Sequence, residues 1–409
     1  MHAFAAPLAP ASAIEPVAIA AQGLACATGV GLPALREALR QGQSALTPNR
    51  FTREPLPCHV GRIQEIEATK LPGALSGWDC RATRAAWLGL QADSFMQAAQ
   101  AARQRHGAAR VGLVLGTSAS TIGASEEAYR NLAPDGGFPA ALRNEALNTL
   151  HAVAAFVQQA LGLQGPCATV STACSSSAKA FAQAERWLRL GLVDAVVVGG
   201  VDVLCDSVLF GFRALGLISP KPCQPFTAQR QGISVGEAAG FALLERGPGA
   251  LQLLGHGESN DAHHMSSPHP LGLGAEQALD AALARSGLVA HQVEHLNLHG
   301  TASTLNDTVE AALVARRYAP TLHASATKGC TGHAMGAAGI VEALICLQAL
   351  EHGLLPGSPC SSVADAALGP VFGGQLQAEP AQRTVRTAAS HSFGFGGNNC
   401  VLVFGKGST

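Results

Sequence analysis

The stretch VSTACSSSAKAF, residues 170–181, sets Cys174 between a β-branched run and an alanine-rich segment. Ahead of it, CATVSTAC (167–174) reads as a strand. Behind it, SSSAKAFAQAERWLRLG (175–191) spaces Ala178, Phe181, Ala182, Glu185 and Leu188 along a helix that Gly191 ends. The cysteine therefore stands at a strand-to-helix turn, flanked by Ala173 and three serines. A buried cysteine packs as a small hydrophobe. A thiol at a helix N-terminus has its pKa lowered and is expected to act as a nucleophile. The rest of the chain decides between the two.

Outward from this turn, short apolar strands alternate with alanine-rich helical stretches, the grammar of an α/β protein. PVAIAAQGLA (16–25) and RVGLVLGTS (110–118) read as strands, and DAVVVGGVDVL (194–204) as a strand buried on both faces. After about residue 250 the pattern repeats: HLNLHGTAS (295–303) and HASATKGCTGH (323–333) are strand-to-turn units, GIVEALICLQALEHG (339–353) a helix, and NCVLVFG (399–405) a last strand. This predicts two similar halves, 16–250 with the cysteine and 251–409 with two turn histidines, preceded by a flexible tail over 1–15.

His299 follows an apolar strand and precedes Gly300; His333 lies among small residues at a helix start. Ligands and catalytic groups gather at the carboxyl ends of strands in such folds, so both histidines are candidates beside Cys174. Adjacent His263 and His264 offer no convergent ligand set, and no metal site is expected. The loop SFGFGGNN (392–399) lacks the dinucleotide arrangement of glycines, but its backbone N–H groups can approach a developing oxyanion.

Composition narrows the class. Of 409 residues, 47% are hydrophobic and 13% charged, which suits a well-buried enzyme and argues against disorder. A net charge of −1 predicts no bulk attraction to nucleic acid or to an anionic membrane. Eleven cysteines without a C-x-x-C pair, and a proline-broken start without a basic region, point to reduced thiols in a cytoplasmic protein. No stretch reaches the ~18 uninterrupted apolar residues of a membrane span.

Five stretches, TACSSSAKA, PFTAQRQGISVGEAAG, HGTASTLND, TKGCTGHAMGAAG and SFGFGGNN, resemble in order and spacing those of the elongating β-ketoacyl-[acyl-carrier-protein] synthases, types I and II, of the thiolase superfamily. The resemblance covers about Pro16 to Gly405. It implies a five-layered αβαβα fold and decarboxylative Claisen condensation of an acyl group, held on Cys174, with malonyl-carrier protein. It implies Cys174, His299, His333 and Lys328 as catalytic residues, with Glu342 supporting them. Phe395 takes the place of a gate whose backbone N–H joins that of Cys174 in an oxyanion hole. Thr301, Ser303, Gly394 and Gly396 fall where the substrate arm binds. No cofactor is implied, because substrates ride on the phosphopantetheine of acyl carrier protein, the expected partner. The family forms homodimers; a heterodimer with a chain-length-factor-like subunit suits a specialised pathway. Thr227, where aspartate is common, and Ala239, where glycine is common, leave the catalytic set intact and the substrate open between fatty-acid and aryl-polyene or polyketide elongation. The competing reading, a non-catalytic chain-length-factor-type subunit, would lack the nucleophile.

Overall fold

The computed structural model describes residues 12–139 and 143–407. The tail expected over 1–15 lies outside the described residues up to position 11; from there Ile14 donates its backbone N–H to the Arg285 carbonyl at 2.8 Å.

Two sheets form the frame. The first runs in the order Gly29–Val30, Val17–Cys26, Ala238–Arg246, Ala195–Asp202, Val111–Gly116, Cys167–Val170. The second runs Leu251–Asn260, Asn398–Lys406, Thr387–Gly394, His295–Asn297, His323–Ser325. Leaving aside the short Gly29–Val30 edge, the two sheets repeat one plan. The first strand of each half lies farthest from its parallel edge. Its neighbour pairs antiparallel to it and to the next strand, and the last three strands are mutually parallel. A chain of two similar halves has been folded twice the same way.

Helices fill the three remaining layers. Ser176–Arg189 and Ala338–His352 lie between the sheets, and one core unites Phe181, Ala184 and Leu188 with Ile340, Leu344 and Leu347. The segment Met335–His352 is long and apolar enough to cross a membrane, yet 89% of it is buried inside the protein. Its apolarity answers to a central helix touching protein on all sides. Outside the first sheet pack Arg81–Gln91, Phe95–His106 and Ala152–Leu161; outside the second pack Leu273–Ser286 and Thr304–Arg317. The result is the five-layered αβαβα arrangement.

The cysteine helix can sit this close to the first sheet only because Gly116 has no side chain. A Cβ there would stand 2.3 Å from the Ser177 backbone nitrogen. Gly116→Ala should therefore destabilise the protein by about 1–3 kcal/mol through backbone displacement. Chemical denaturation measures it, and an unchanged midpoint would refute this account of the packing.

Candidate active site

The strand Cys167–Val170 ends in a turn tied by its own serines. Ser176 Oγ accepts the Thr172 N–H at 2.9 Å and donates to the Ala173 carbonyl at 2.6 Å, while Ser175 Oγ donates to the Thr172 carbonyl at 2.9 Å. Ala173 takes φ 51°, a left-handed conformation costly for a residue with a Cβ. That strained elbow lifts Cys174 to the start of the central helix. The cysteine is 7% exposed, and burial pushes its thiol up to about 11. This corrects the expectation of a lowered thiol pKa: in so dry a place, desolvation outweighs the helix N-terminus. Opposing the shift are the Lys328 charge and the backbone N–H groups of Phe395 and of Cys174 itself, which face the sulfur.

His333 Nε2 lies 3.1 Å from the Cys174 sulfur, and its Nδ1 accepts the Met335 N–H at 3.0 Å. An Nδ1 that accepts leaves the proton on Nε2. His299 reaches the same state through Lys328, whose ammonium meets Nδ1 at 3.3 Å. The two rings stand 5.6 Å apart, nearly perpendicular. Both are held well below the ordinary histidine pKa, first by burial and then by the charge of Lys328. They are neutral donors.

Lys328 also binds the His299 carbonyl and Glu342. Burial pushes Glu342 up to about 7, against the pull of the Lys328 ammonium. Thus Cys174, His299, His333, Lys328 and Glu342, spread over 169 positions of sequence (342 minus 174, plus one), converge on one centre.

Phe395 caps it from the hairpin Thr387–Gly394/Asn398–Lys406. Gly394 lies where a Cβ would stand 3.1 Å from the Cys174 nitrogen, so the loop presses directly on the cysteine turn. Gly396, at φ 74°, turns the loop and donates its N–H to the Met265 carbonyl at 2.7 Å. The Phe395 ring meets Phe212 edge-on at 5.9 Å. A cavity of about 430 Å³ leads from Cys174, His299 and His333 past Phe393 and Phe395 to Thr301 and Ser303, whose hydroxyls lie 2.9 Å apart. Gly394 lines it; Gly396 does not.

The sequence reading missed the acids beneath the His299 turn. Asp307 accepts the Thr301 and Phe226 N–H groups, and Glu310 those of His299 and Gly300. Their signal was the i, i+3 spacing on one face of the helix opened by Ser303. Asp202 likewise joins the Ser118 and Ala119 amides to that of Gly336. Lys179, readable as a solvated residue, bonds Asn398 of the glycine loop at 3.2 Å. Arg62, Arg81 and Arg84 are taken up by Glu67, Glu237 and Asp79.

The Cys174 sulfur and one nitrogen of each histidine lie within 4.8 Å of one another, a spacing that could hold a metal ion. The hydrogen bonds oppose it. Ligation through Nε2 would require Nδ1 to carry the proton, against the Met335 N–H in one ring and the Lys328 ammonium in the other.

Comparison with known proteins identifies the family. The family model described as β-ketoacyl synthase, N-terminal domain, matches residues 14–250, and that of the C-terminal domain matches 251–360. Nodulation protein E of Rhizobium meliloti (strain 1021) is 31% identical over 95% of this chain and 98% of its own. The 3-oxoacyl-[acyl-carrier-protein] synthase 2 of the same organism is 35% identical over 59% of this chain and 61% of its own. Among solved structures, the ketosynthase ApeO in complex with its chain length factor ApeC, from Xenorhabdus doucetiae, superposes with a TM-score of 0.86 at 32% identity, covering 96% of this chain and 98% of that one. With its family domains matched from residue 14 to residue 360, this chain belongs to the β-ketoacyl synthase family.

Proposed function

We propose that the protein extends acyl chains by decarboxylative condensation on acyl carrier protein, without a cofactor. The observation that carries this reading is the paired Nε2–H donors aimed at the space beside Cys174. The Cys174 sulfur attacks the carrier thioester, and the tetrahedral oxyanion lies against the Cys174 and Phe395 amides. The pantetheine sulfur departs with the proton, leaving an acyl-cysteine. Malonyl-carrier protein then enters past Thr301 and Ser303. Loss of CO₂ leaves its electron pair as an enolate, whose oxygen takes the two histidine N–H groups. The enolate carbon attacks the acyl carbonyl, and the cysteine leaves as thiolate from a chain two carbons longer.

Pairing is the second element of the proposal. The solved neighbours include ketosynthases bound to a chain length factor, one of them at 32% identity. The first sheet ends at the edge strand Cys167–Val170, half-exposed and apolar, with Tyr129, Leu132 and Leu150 exposed elsewhere in the same half. An unpaired edge strand leaves backbone N–H and C=O groups that a second chain can take up. We infer a cytoplasmic dimer, either of two copies or with a silent chain-length-factor-like subunit in aryl-polyene or polyketide elongation. Native mass measurement of the chain alone and co-expressed with such a subunit distinguishes the two, and a stable monomer in both samples would refute pairing.

Cys174→Ala should abolish covalent acyl capture, read by mass spectrometry of the intact protein. Cys174→Gln should keep CO₂ release from malonyl-carrier protein while losing condensation, because the enolate donors are His299 and His333. Release lost in Cys174→Gln with substrate binding intact would refute the donor assignment.

The half-reactions should also part with pH. A thiol pushed up to about 11 gains thiolate as pH rises, so acylation climbs throughout the neutral range. Neutral histidines whose pKa lies well below the ordinary value stay donors as pH falls, so CO₂ release should be flat between about pH 6 and about pH 8. Single-turnover rates of both steps measure this, and a drop in CO₂ release toward pH 6, near the ordinary histidine value of about 6.5, would overturn it.

A further inference from the structure

Behind the His299 turn runs a buried hydrogen-bonded chain that the condensation steps do not use. Glu310 projects from the helix Thr304–Arg317 onto the turn, accepting the His299 N–H at 2.8 Å and the Gly300 N–H at 2.9 Å. The oxygen that takes the His299 N–H also meets His391 Nδ1 at 3.1 Å, and His391 Nε2 meets the Tyr318 hydroxyl at 2.8 Å. All three side chains are buried, and none lines the cavity. A carboxylate only accepts, so His391 Nδ1 carries the proton and Nε2 is free to take the tyrosine O–H. Every donor in the chain then has an acceptor, in the order Tyr318 to His391 to Glu310.

His391 reaches His299 by a second route. Its ring lies 5.0 Å from that of Phe393, tilted by 40°, and the Phe393 ring stands 6.0 Å from the His299 imidazole. One histidine thus bears on the backbone of His299 through Glu310 and on its ring through Phe393.

We propose that Tyr318 and His391 are positioning residues that aim the His299 Nε2–H at the enolate oxygen. This rests on the condensation reading above. Hydrogen bonds weaken steeply when bent, so a turn released by its acid would misdirect the donor while leaving it present. Acyl transfer to Cys174 relies on the Cys174 and Phe395 amides and should not feel the relay. It acts on decarboxylation alone.

The test compares His391→Phe, His391→Asn and Tyr318→Phe in the full chain, by CO₂ release from malonyl-carrier protein and by single-turnover acylation of Cys174. Loss of a hydrogen bond to a charged group predicts that His391→Phe lowers kcat for CO₂ release by about tenfold to a hundredfold, with KM unchanged. Acylation should stay at the wild-type rate. Asparagine can return one N–H to Glu310, so His391→Asn should recover most of the loss; Tyr318→Phe, which leaves the histidine in place, should show the smallest defect. Equal losses in both half-reactions, or full CO₂ release in folded His391→Phe, would overturn the proposal. If His391→Phe does not fold, Tyr318→Phe decides by the same two rates. A wild-type chain that performs neither half-reaction would instead overturn the condensation reading itself.

Discussion

Lys328 carries a full charge into the interior, and its three partners fix the state of everything around it. The ammonium has three protons to give, and the His299 carbonyl, the His299 Nδ1 and Glu342 take them. Buried ion pairs add little to stability, because desolvation offsets their attraction. What this one secures is chemical. With the ammonium against Nδ1, His299 can neither gain a second proton nor move the one it has. The Met335 amide imposes the same tautomer on His333 without a charge. The two rings arrive at one function by different means.

That difference follows from the doubled architecture. The edge strand of each sheet leads into one of the two central helices, through a short turn in the first half and through a longer connection holding the short helix Lys328–Thr331 in the second, so the Cys174 turn and the His333 turn occupy matching places in the two halves. Each contains a residue in the left-handed region, Ala173 just before the cysteine and Met335 two positions after the histidine. Because their helices pack side by side, the turns meet face to face. His299 comes from the neighbouring strand of the second half, and Phe395 from the hairpin next to that. Each sheet contributes at its carboxyl ends, and no loop has to reach far.

Much of this was legible from residues alone. Small flanks around Cys174, turn histidines after apolar strands and glycines in the last hairpin are local signals, and the fold preserves local order. The repeated alternation of strands and helices announced the doubling, though not that both halves share one strand order. What stayed hidden depended on distance in sequence. Glu310 and Asp307 look like ordinary acids on an amphipathic helix until the turn folds back over them. His391 sits in the buried strand Thr387–Gly394, and its partner Tyr318 lies 73 positions away. The thiol's pKa was expected in the wrong direction, because the helix N-terminus is visible in sequence while full burial is a property of the packed layers.

The cavity shows why neutral donors suit the chemistry. Lys328 does not line it, so no formal positive charge faces the substrate there. A cation would hold a malonyl carboxylate as firmly as the enolate it becomes, and interactions equal in both states do not speed the reaction. Neutral N–H dipoles fixed beside the carbonyl oxygen strengthen as charge arrives on that oxygen, and burial keeps water from screening them. Phe212, Phe393 and Phe395 add an aromatic wall to the same cavity. Burying an ammonium just behind His299, outside the cavity lining, lets the protein use its charge to govern a tautomer and still keep cationic side chains off the cavity wall.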